Sequence, residues 1–544
     1  MSDPKASIRY TGAVYTPAPV AEAIVKRCSS LLGSRELRVL EPSVGDGAFL
    51  SELIGLNSPR TRITAVDIDC DVIRELKRRY HNQSDTISFV QGDFVRFAID
   101  RKLDGDSDEE FDLIIGNPPF IRRHNFSAEM KERLKDFAAA FDYPLNQLKN
   151  TWPAFLLAAT DLVSNSGVVA LVLPYEVLTV DYGQKVLNHI QSEFERVEIM
   201  VSTEKAFPEI DQDAIILIAE KKSMRDPGLY VTKVPDFDEL NDFDARKTEF
   251  MNGAQGGIEL NSYLLPPAAV ATVKSLQEKS TRVSDYLTSA PGVVSAANDF
   301  FIRKRAEVEQ LGLSEYAKPI LKKGSFSGSS PIFTLKEFEA LAEREPCCLL
   351  HLDGDRDQLS PAAQAYIKVG EDQGIHQRYK CRKRPNWYQV PLIENENAFV
   401  FKRSHSHPRV LLNEASVHTT DTAYGLRLHE GFTARGFCFS FYTSPTMLFA
   451  EMNGRFYGGG VLELSPKEFR GLAFFYHEPT NEEFADFLQA HHEAGGQIEA
   501  VLDFGDQWLI SNGYLGPDEL AVIRESWRTI RAHRMRHGGR QSTA

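Results

Sequence analysis

The chain has 544 residues and a mass of 61.1 kDa, more than one ordinary hydrophobic core holds, so two or three domains are expected and a lone binding module is not. With 42% hydrophobic and 25% charged residues, its composition is that of a folded protein, not of a disordered one. A net charge of -14 gives no overall attraction to polyanions, so a nucleic-acid partner would have to be met by a local basic patch.

No apolar run approaches the roughly 18 to 20 residues a membrane span needs, and the opening MSDPKASIRY lacks the apolar stretch of a signal peptide. A cytoplasmic protein with no membrane partner is expected. Cys28, Cys70, Cys347, Cys348, Cys381 and Cys438 form no CxxC pair, and the histidines form no HxxxH or Cys-paired cluster. Reduced, mostly buried thiols and no metal site follow.

Residues 17–32 read as an amphipathic helix with Thr16 as its N-cap and Pro17 in its first turn. Short apolar runs then alternate with helical patterns: 37–40, 63–66, 87–90, 111–115, 168–173 and 214–218. This is the signature of an α/β fold with a doubly wound, mostly parallel, Rossmann-like sheet. Residues 104–110 are acidic and read as a solvated loop. Beyond residue 225 the alternation fades. A first domain over 1–225, a linker over 226–256 marked by Pro227 and Pro235, and an aromatic-rich α+β domain over 257–544 are expected.

In open α/β sheets ligands bind outside the carboxyl ends of the strands, so those ends are where chemistry is sought. The first run leads into Leu40-Glu41-Pro42-Ser43-Val44-Gly45-Asp46-Gly47, where the glycines let backbone approach a ligand and the following helix N-terminus favours a negatively charged group. The second run ends at Asp67, 26 residues beyond Glu41, where a carboxylate can accept from ribose hydroxyls. The third ends in Gly92-Asp93-Phe94, an acceptor for an exocyclic amine beside a ring able to cover a purine. Three successive strand ends thus describe an adenosine site. The fourth, Asn117-Pro118-Pro119-Phe120, is the sharpest signal: prolines stiffen the backbone, Asn117 and Pro118 each offer a carbonyl oxygen toward one amino group, and Phe120 offers a stacking face.

The set Tyr15-Thr16-Pro17, Glu41-Pro42-x-x-Gly45-x-Gly47, Asp67, Gly92-Asp93-Phe94 and Asn117-Pro118-Pro119-Phe120 resembles the S-adenosylmethionine-dependent N6-adenine DNA methyltransferases. Its order resembles their gamma class, common in type II restriction-modification systems. Trp152-Pro153-Ala154-Phe155, Pro174-Tyr175-Glu176-Val177-Leu178 and Ala206-Phe207-Pro208 are further matches. The resemblance implies a methyltransferase catalytic domain followed by a target-recognition domain, with Thr16 and Glu41 near the methionine end of the cofactor. It implies that Gly45 and Gly47 shape the loop, Asp67 holds the ribose, Asp93 and Phe94 read the adenine, and Phe155 borders it. It further implies that Asn117 and Pro118 bind the target amino group, with Phe120 and Phe207 on the two faces of a flipped base. Phe120 stands where Tyr is commoner, which keeps the stacking face and loses a hydroxyl. Asn117 favours adenine, since Ser there would lean toward cytosine N4.

In residues 378–409, Arg378, Lys380, Arg382, Lys383, Arg384, Lys402, Arg403 and Arg409 face only Glu394 and Glu396, with Tyr379, Trp387, Tyr388, His405 and His407 interleaved. Such a segment suits phosphate contacts with base-edge readout, and so makes double-stranded DNA the expected partner. Arg303 and Lys304, in a stretch resembling the start of the family's recognition region, join it, as does the arginine-rich tail from Arg524 to Arg540. Neither Pro235-Asp236 nor Pro517-Asp518 is followed by the (Asp/Glu)-x-Lys of a nuclease, so a separately encoded restriction endonuclease is expected. The rival readings are an RNA base methyltransferase, a protein glutamine methyltransferase, and a non-catalytic DNA-binding specificity protein on a relict fold.

Overall fold

A computed structural model describes residues 15–33, 36–55, 61–104, 110–178, 180–202, 213–237, 264–394, 396–457 and 459–535. The chain divides into two compact units, residues 1–263 and 264–544.

In the first unit β1 (Arg38–Glu41), β2 (Arg62–Asp67), β3 (Ile87–Gln91), β4 (Phe111–Gly116), β5 (Val163–Pro174), β6 (Arg196–Ser202), β7 (Ala214–Glu220) and β8 (Gly228–Val234) form one sheet. Its order is β3-β2-β1-β4-β5-β7-β6-β8. All neighbours are parallel except β7, which runs antiparallel between β5 and β6. The chain winds outward from β1 to β3, then crosses back to β4, so the order reverses between β1 and β4, the place where open α/β sheets hold ligands in a crevice at the strands' carboxyl ends.

The helices are α1 (Ala18–Leu32), α2 (Ala48–Gly55), α3 (Cys70–Arg79), α4 (Phe94–Asp104), α5 (Ala128–Ala140), α6 (Trp152–Leu162) and α7 (Asp181–Glu193). Ile24, Leu50 and Ile73 of α1, α2 and α3 share one buried cluster with Val39, Ile63, Leu113 and Ala170 of the strands. The alternate strand residues Ile114, Val169 and Leu171 are buried on the opposite face, where α6 packs onto β5 and α4 packs onto α5 and α6. Strand residues buried on both faces explain why these runs read as continuously apolar.

The sequence pattern misses β6. Arg196 and Glu198 alternate with apolar residues there as on a half-exposed strand, yet all seven residues are buried. The charges are neutralised in place: Glu198 takes Arg196 at 2.7 Å, Arg225 at 2.6 Å and Arg27 of α1 at 3.1 Å. Burial pushes the Glu198 carboxyl up, but the Arg196 hydrogen bond and the Arg225 and Arg27 charges hold it below the ordinary value. The expected linker is also shortened, because Gly228–Val234 pair in register with Arg196–Ser202 as an eighth strand. Of the acidic loop expected over 104–110, Asp104 closes α4, Glu110 precedes β4, and 105–109 lie outside the described residues.

The second unit is α+β. A five-stranded sheet orders Leu287–Pro291, Ala423–Leu428, Ala398–Phe401, Val410–Asn413 and Ile332–Phe333, with smaller sheets beside it. Helices Asn481–Ala494, Ile498–Ser511 and Pro517–Met535 close the described chain. Cys28, Cys347, Cys381 and Cys438 are buried free thiols. No described helix is long and apolar enough to cross a membrane.

Candidate active site at the carboxyl ends of the strands

Glu41 ends β1 fully buried, and neither of its carboxylate oxygens has a hydrogen-bond partner among the described residues. Burial pushes its carboxyl well above the ordinary range, and the negative charges of Asp46 and Asp67 push it further. A buried carboxylate among carboxylates suits a cationic ligand. Beyond it the chain turns through Gly45 at φ 52° and Gly47 at φ 86°, left-handed conformations that favour glycine. A Cβ on Gly47 would meet Leu76 at 3.0 Å, and one on Gly45 would meet the Tyr15 ring at 3.5 Å.

Asp67, at the end of β2, accepts from the Gly45 N–H on one oxygen and from the Asp69 N–H on the other, both at 2.9 Å. It braces the glycine turn as well as facing the crevice. Next to it Ile68 is 62% exposed, an apolar side chain left uncovered at a strand end, and sequence reasoning passed over it. Asp93 caps α4 through the Arg96 N–H and is ion-paired with Arg133 of α5. Phe94 is buried, its ring 4.9 Å from that of Phe155 and 6.2 Å from that of Phe97. The expected adenine-reading trio is therefore brought together, but Phe94 and Phe155 fill the core between α4 and α6 instead of presenting open faces.

Asn117, Pro118, Pro119 and Phe120 leave β4 between these two halves. The main-chain oxygen of Asn117 accepts from Ser43 Oγ at 3.0 Å, and its side-chain nitrogen donates to Thr16 Oγ1 at 3.2 Å. Thr16 is buried and is not the N-cap: Pro17 holds that position, with no side-chain cap bond, and the Thr16 hydroxyl turns to Asn117. Behind the loop, Thr151 Oγ1 donates to the Pro119 carbonyl and accepts from the Ile121 N–H at 3.0 Å. Asn150, wholly buried, fixes Thr151 through its backbone N–H at 2.7 Å. Glu176 gathers Asn150, Trp152 and Tyr182 at 2.8, 3.3 and 2.6 Å. Sequence reasoning did not find Ser43, Asn150 or Thr151; the polar pair Asn150-Thr151 before an apolar helix was the available signal. Phe207 lies outside the described residues.

The family model described as Eco57I restriction-modification methylase matches residues 56–207, and that described as Type II methyltransferase M.Eco57I, C-terminal domain, matches residues 259–510. The chain is 24% identical over 468 residues to Type II methyltransferase M.AccI of Acinetobacter calcoaceticus, covering 84% of this chain and 83% of that protein. The chain belongs to the type II restriction-modification methyltransferases. It is also 22% identical over 479 residues to Type II methyltransferase M.XamI of Xanthomonas campestris pv. amaranthicola, covering 85% of this chain and 84% of that one. Among solved structures, the DrdV–DNA complex has a TM-score of 0.49 at 12% identity, covering 90% of this chain and 58% of that one.

In the second unit of this methyltransferase the basic segment separates into two groups. Arg378, Tyr379, Lys380, Arg382 and Lys383 are exposed together on one turn, with Lys383 over the Tyr379 ring at 5.8 Å and Arg378 also donating to the Ala296 carbonyl at 3.2 Å. The others are committed internally. Arg384 donates to the carbonyls of Val294, Ser295 and Trp387, and Arg409 to those of Gly328 and Ser330. Lys402 and Arg403 share Glu463 at 3.3 and 2.5 Å, and Trp387 packs beside Phe300 and Phe301. Arg303 donates to the Asp299 carbonyl, while Lys304 is exposed. The tail is corrected likewise: Arg524, Arg528 and Arg534 pair with Asp506, Glu499 and Glu451, and Arg531 donates to the Ser406 carbonyl. Arg536 and Arg540 lie outside the described residues.

Proposed function

We propose that the chain is a site-specific DNA methyltransferase that transfers a methyl group from S-adenosylmethionine to the N6 amino group of adenine in a short duplex sequence. It acts in the cytoplasm as the modification half of a type II restriction-modification system, and its class is gamma. A separately encoded endonuclease cuts unmodified sites. The observation that carries the reading is Asn117-Pro118-Pro119-Phe120 following β4, where the strand order reverses beside β1, together with the buried Glu41 carboxylate that ends β1 and has no hydrogen-bond partner among the described residues.

S-adenosylmethionine supplies an electrophilic methyl group when bound. Its positively charged end suits Glu41, its ribose suits Asp67, and its adenine suits the Ile68, Asp93 and Phe94 end of the sheet. Gly45 and Gly47 give it backbone clearance, and Thr16 and Phe155 border it. Adenine N6 is a weak nucleophile because its lone pair is delocalised into the ring. The Asn117 side-chain oxygen and the Pro118 carbonyl, accepting its two hydrogens, favour a geometry that frees the lone pair for in-line attack. The atom is inaccessible in stacked DNA, so the base must be extruded. Phe120 and Phe207 stack on it and offset part of an unstacking cost of about a few kcal/mol. Lys304, Arg378, Lys380, Arg382 and Lys383 supply phosphate contacts from the target-recognition domain.

Single-molecule sequencing of DNA from cells expressing the chain, scored for N6-methyladenine by sequence context, tests this. One enriched motif, absent with Asn117→Ala, is expected. Its absence in the wild type would move the substrate to RNA or protein.

A further inference from the structure

Asp93 is the carboxylate proposed to read the cofactor's adenine, and the structure gives it donors from two different helices. Its Oδ1 accepts from the Arg96 N–H in the first turn of α4 at 3.1 Å, and its Oδ2 accepts from Arg133 Nη1, 40 residues further along in α5. The other end of the same guanidinium, Nη2, donates to Glu129 at 2.9 Å, one helical turn back. The side chains of Asp93 and Arg133 are each 16% exposed, whereas that of Glu129 is 83% exposed. Arg133 is therefore committed to Asp93 in a sheltered place, and Glu129 steadies it from the solvent side.

The sequence builds this arm locally. Ser127 caps α5 by accepting from the Met130 N–H at 3.0 Å, Leu134 and Phe137 are buried, and the helix packs onto α4. A carboxylate held by one donor still turns about its Cβ–Cγ bond, while donors on both oxygens fix its plane. Each oxygen keeps a second lone pair for a further donor. The exocyclic amine of a purine is a neutral donor that leaves water to bind, so its bond to a carboxylate adds affinity only where that carboxylate is correctly aimed.

We infer that Arg133 is a positioning residue that aims the Asp93 carboxylate at the adenine amine, and so sets how strongly the site tells an amino group from a carbonyl at that place on the purine. The inference rests on the adenine-reading role of Asp93 proposed above. The arm that fixes the cofactor reader then belongs to α5, the helix that follows the Asn117-Pro118-Pro119-Phe120 loop.

The experiment titrates the full chain by calorimetry with S-adenosylhomocysteine and with S-inosylhomocysteine, which carries a carbonyl in place of the amine. A carbonyl facing Asp93 sets acceptor against acceptor, so the wild type is expected to bind the inosyl compound roughly 10- to 100-fold more weakly. Arg133→Met, which keeps an unbranched stem and removes the donors, is expected to bring the two affinities within about threefold of each other. Arg133→Lys, which keeps the charge and loses the planar fork, should lie between, and it decides the matter where Arg133→Met does not fold. Asp93→Ala gives the ratio of a site without a reader. A fold weakened elsewhere lowers both affinities by one factor and leaves their ratio alone. A ratio in the Arg133 variants equal to or above that of the wild type therefore overturns the inference, even where binding is weaker. Equal and measurable binding of both compounds by the wild type overturns the role of Asp93 and the inference with it, and binding of neither overturns the cofactor reading itself.

Discussion

Asn150 and Glu176, 26 residues apart in sequence, meet at 2.8 Å behind the loop that carries Phe120. Glu176 also receives Trp152 and Tyr182, and Asn150 passes the constraint to Thr151, which holds Pro119 and Ile121. Replacing Glu176 with Ala leaves the buried Asn150 and Trp152 and the half-buried Tyr182 short of an acceptor. The melting temperature is expected to fall by several degrees, on the scale of about 2 to 4 kcal/mol, with kcat falling more than KM rises. Glu176→Gln, which keeps one acceptor oxygen, should lie between. Thermal unfolding and steady-state kinetics of the three proteins check this; equal kcat in all three would remove the network from the positioning of Phe120.

Glu41 makes cofactor binding proton-linked. Its carboxyl is raised by burial and by Asp46 and Asp67, so the ligand-free chain holds a proton there at pH values where an ordinary carboxyl has lost it. A cationic group arriving beside it expels that proton. Affinity for S-adenosylmethionine is therefore expected to strengthen with rising pH until the raised value is passed. Calorimetry in buffers of different ionisation enthalpy should register proton release in the wild type and none in Glu41→Gln, which should bind at least tenfold more weakly.

The same raised carboxyl has the opposite effect on the ligand-free fold. Because the unfolded chain gives up this proton more readily, Glu41 lowers stability as pH rises from the ordinary carboxyl value through the raised one. Glu41→Gln is thus expected to melt higher than the wild type at neutral pH without cofactor. A lower melting temperature would mean that the carboxylate has a partner after all.

The exposed turn and the internally bonded arginines of the second unit should separate by experiment. Lys380, Arg382 and Lys383 changed together to Ala are expected to weaken binding to any duplex. The slope of log affinity against log salt should fall by roughly 2 to 3, with little change in melting temperature. Arg384→Ala should instead unfold the chain more easily, because it leaves the Val294 and Ser295 carbonyls without their donor. Salt titrations and thermal scans on both variants decide it.

Two histidines set an acid limit. Burial pushes His407 down to about 3 and His491 to about 4, helped in each by the charge of Arg409. Both are neutral in the fold while the unfolded chain takes up protons below roughly 6.5, so their stability is present above that pH and lost as it falls toward 4. His491→Phe, placed against Tyr442 and Phe487, should lessen the dependence by about one proton. Denaturant titrations between pH 7 and 5 measure that slope.

The strand ends were legible because glycine, proline and acidic residues punctuate each apolar run at the point where backbone must turn toward a ligand. Six strands were read from apolar runs so punctuated, whereas their order in the sheet came from the structure. β6 was not legible, since its Arg196 and Glu198 imitate a solvent-facing pattern and only partners such as Arg27 and Arg225 allow them inside. The family motif locates Asp93, Phe94 and Thr16, but their partners come from far along the chain: Arg133, Phe155 and Asn117. The basic segment shows the same limit. Counting charge cannot tell Lys383, open to solvent, from Arg384, whose guanidinium is occupied by carbonyls 89 and 90 residues away.

Helix α1 precedes the first strand yet is held by side chains at several distant places. Val20, Ile24, Val25 and Cys28 are buried, Arg27 reaches Glu198 in β6, and Thr16 reaches Asn117 after β4. None of these contacts runs through the peptide link to β1. A break engineered near residue 33 should leave two fragments able to reassemble into a working crevice.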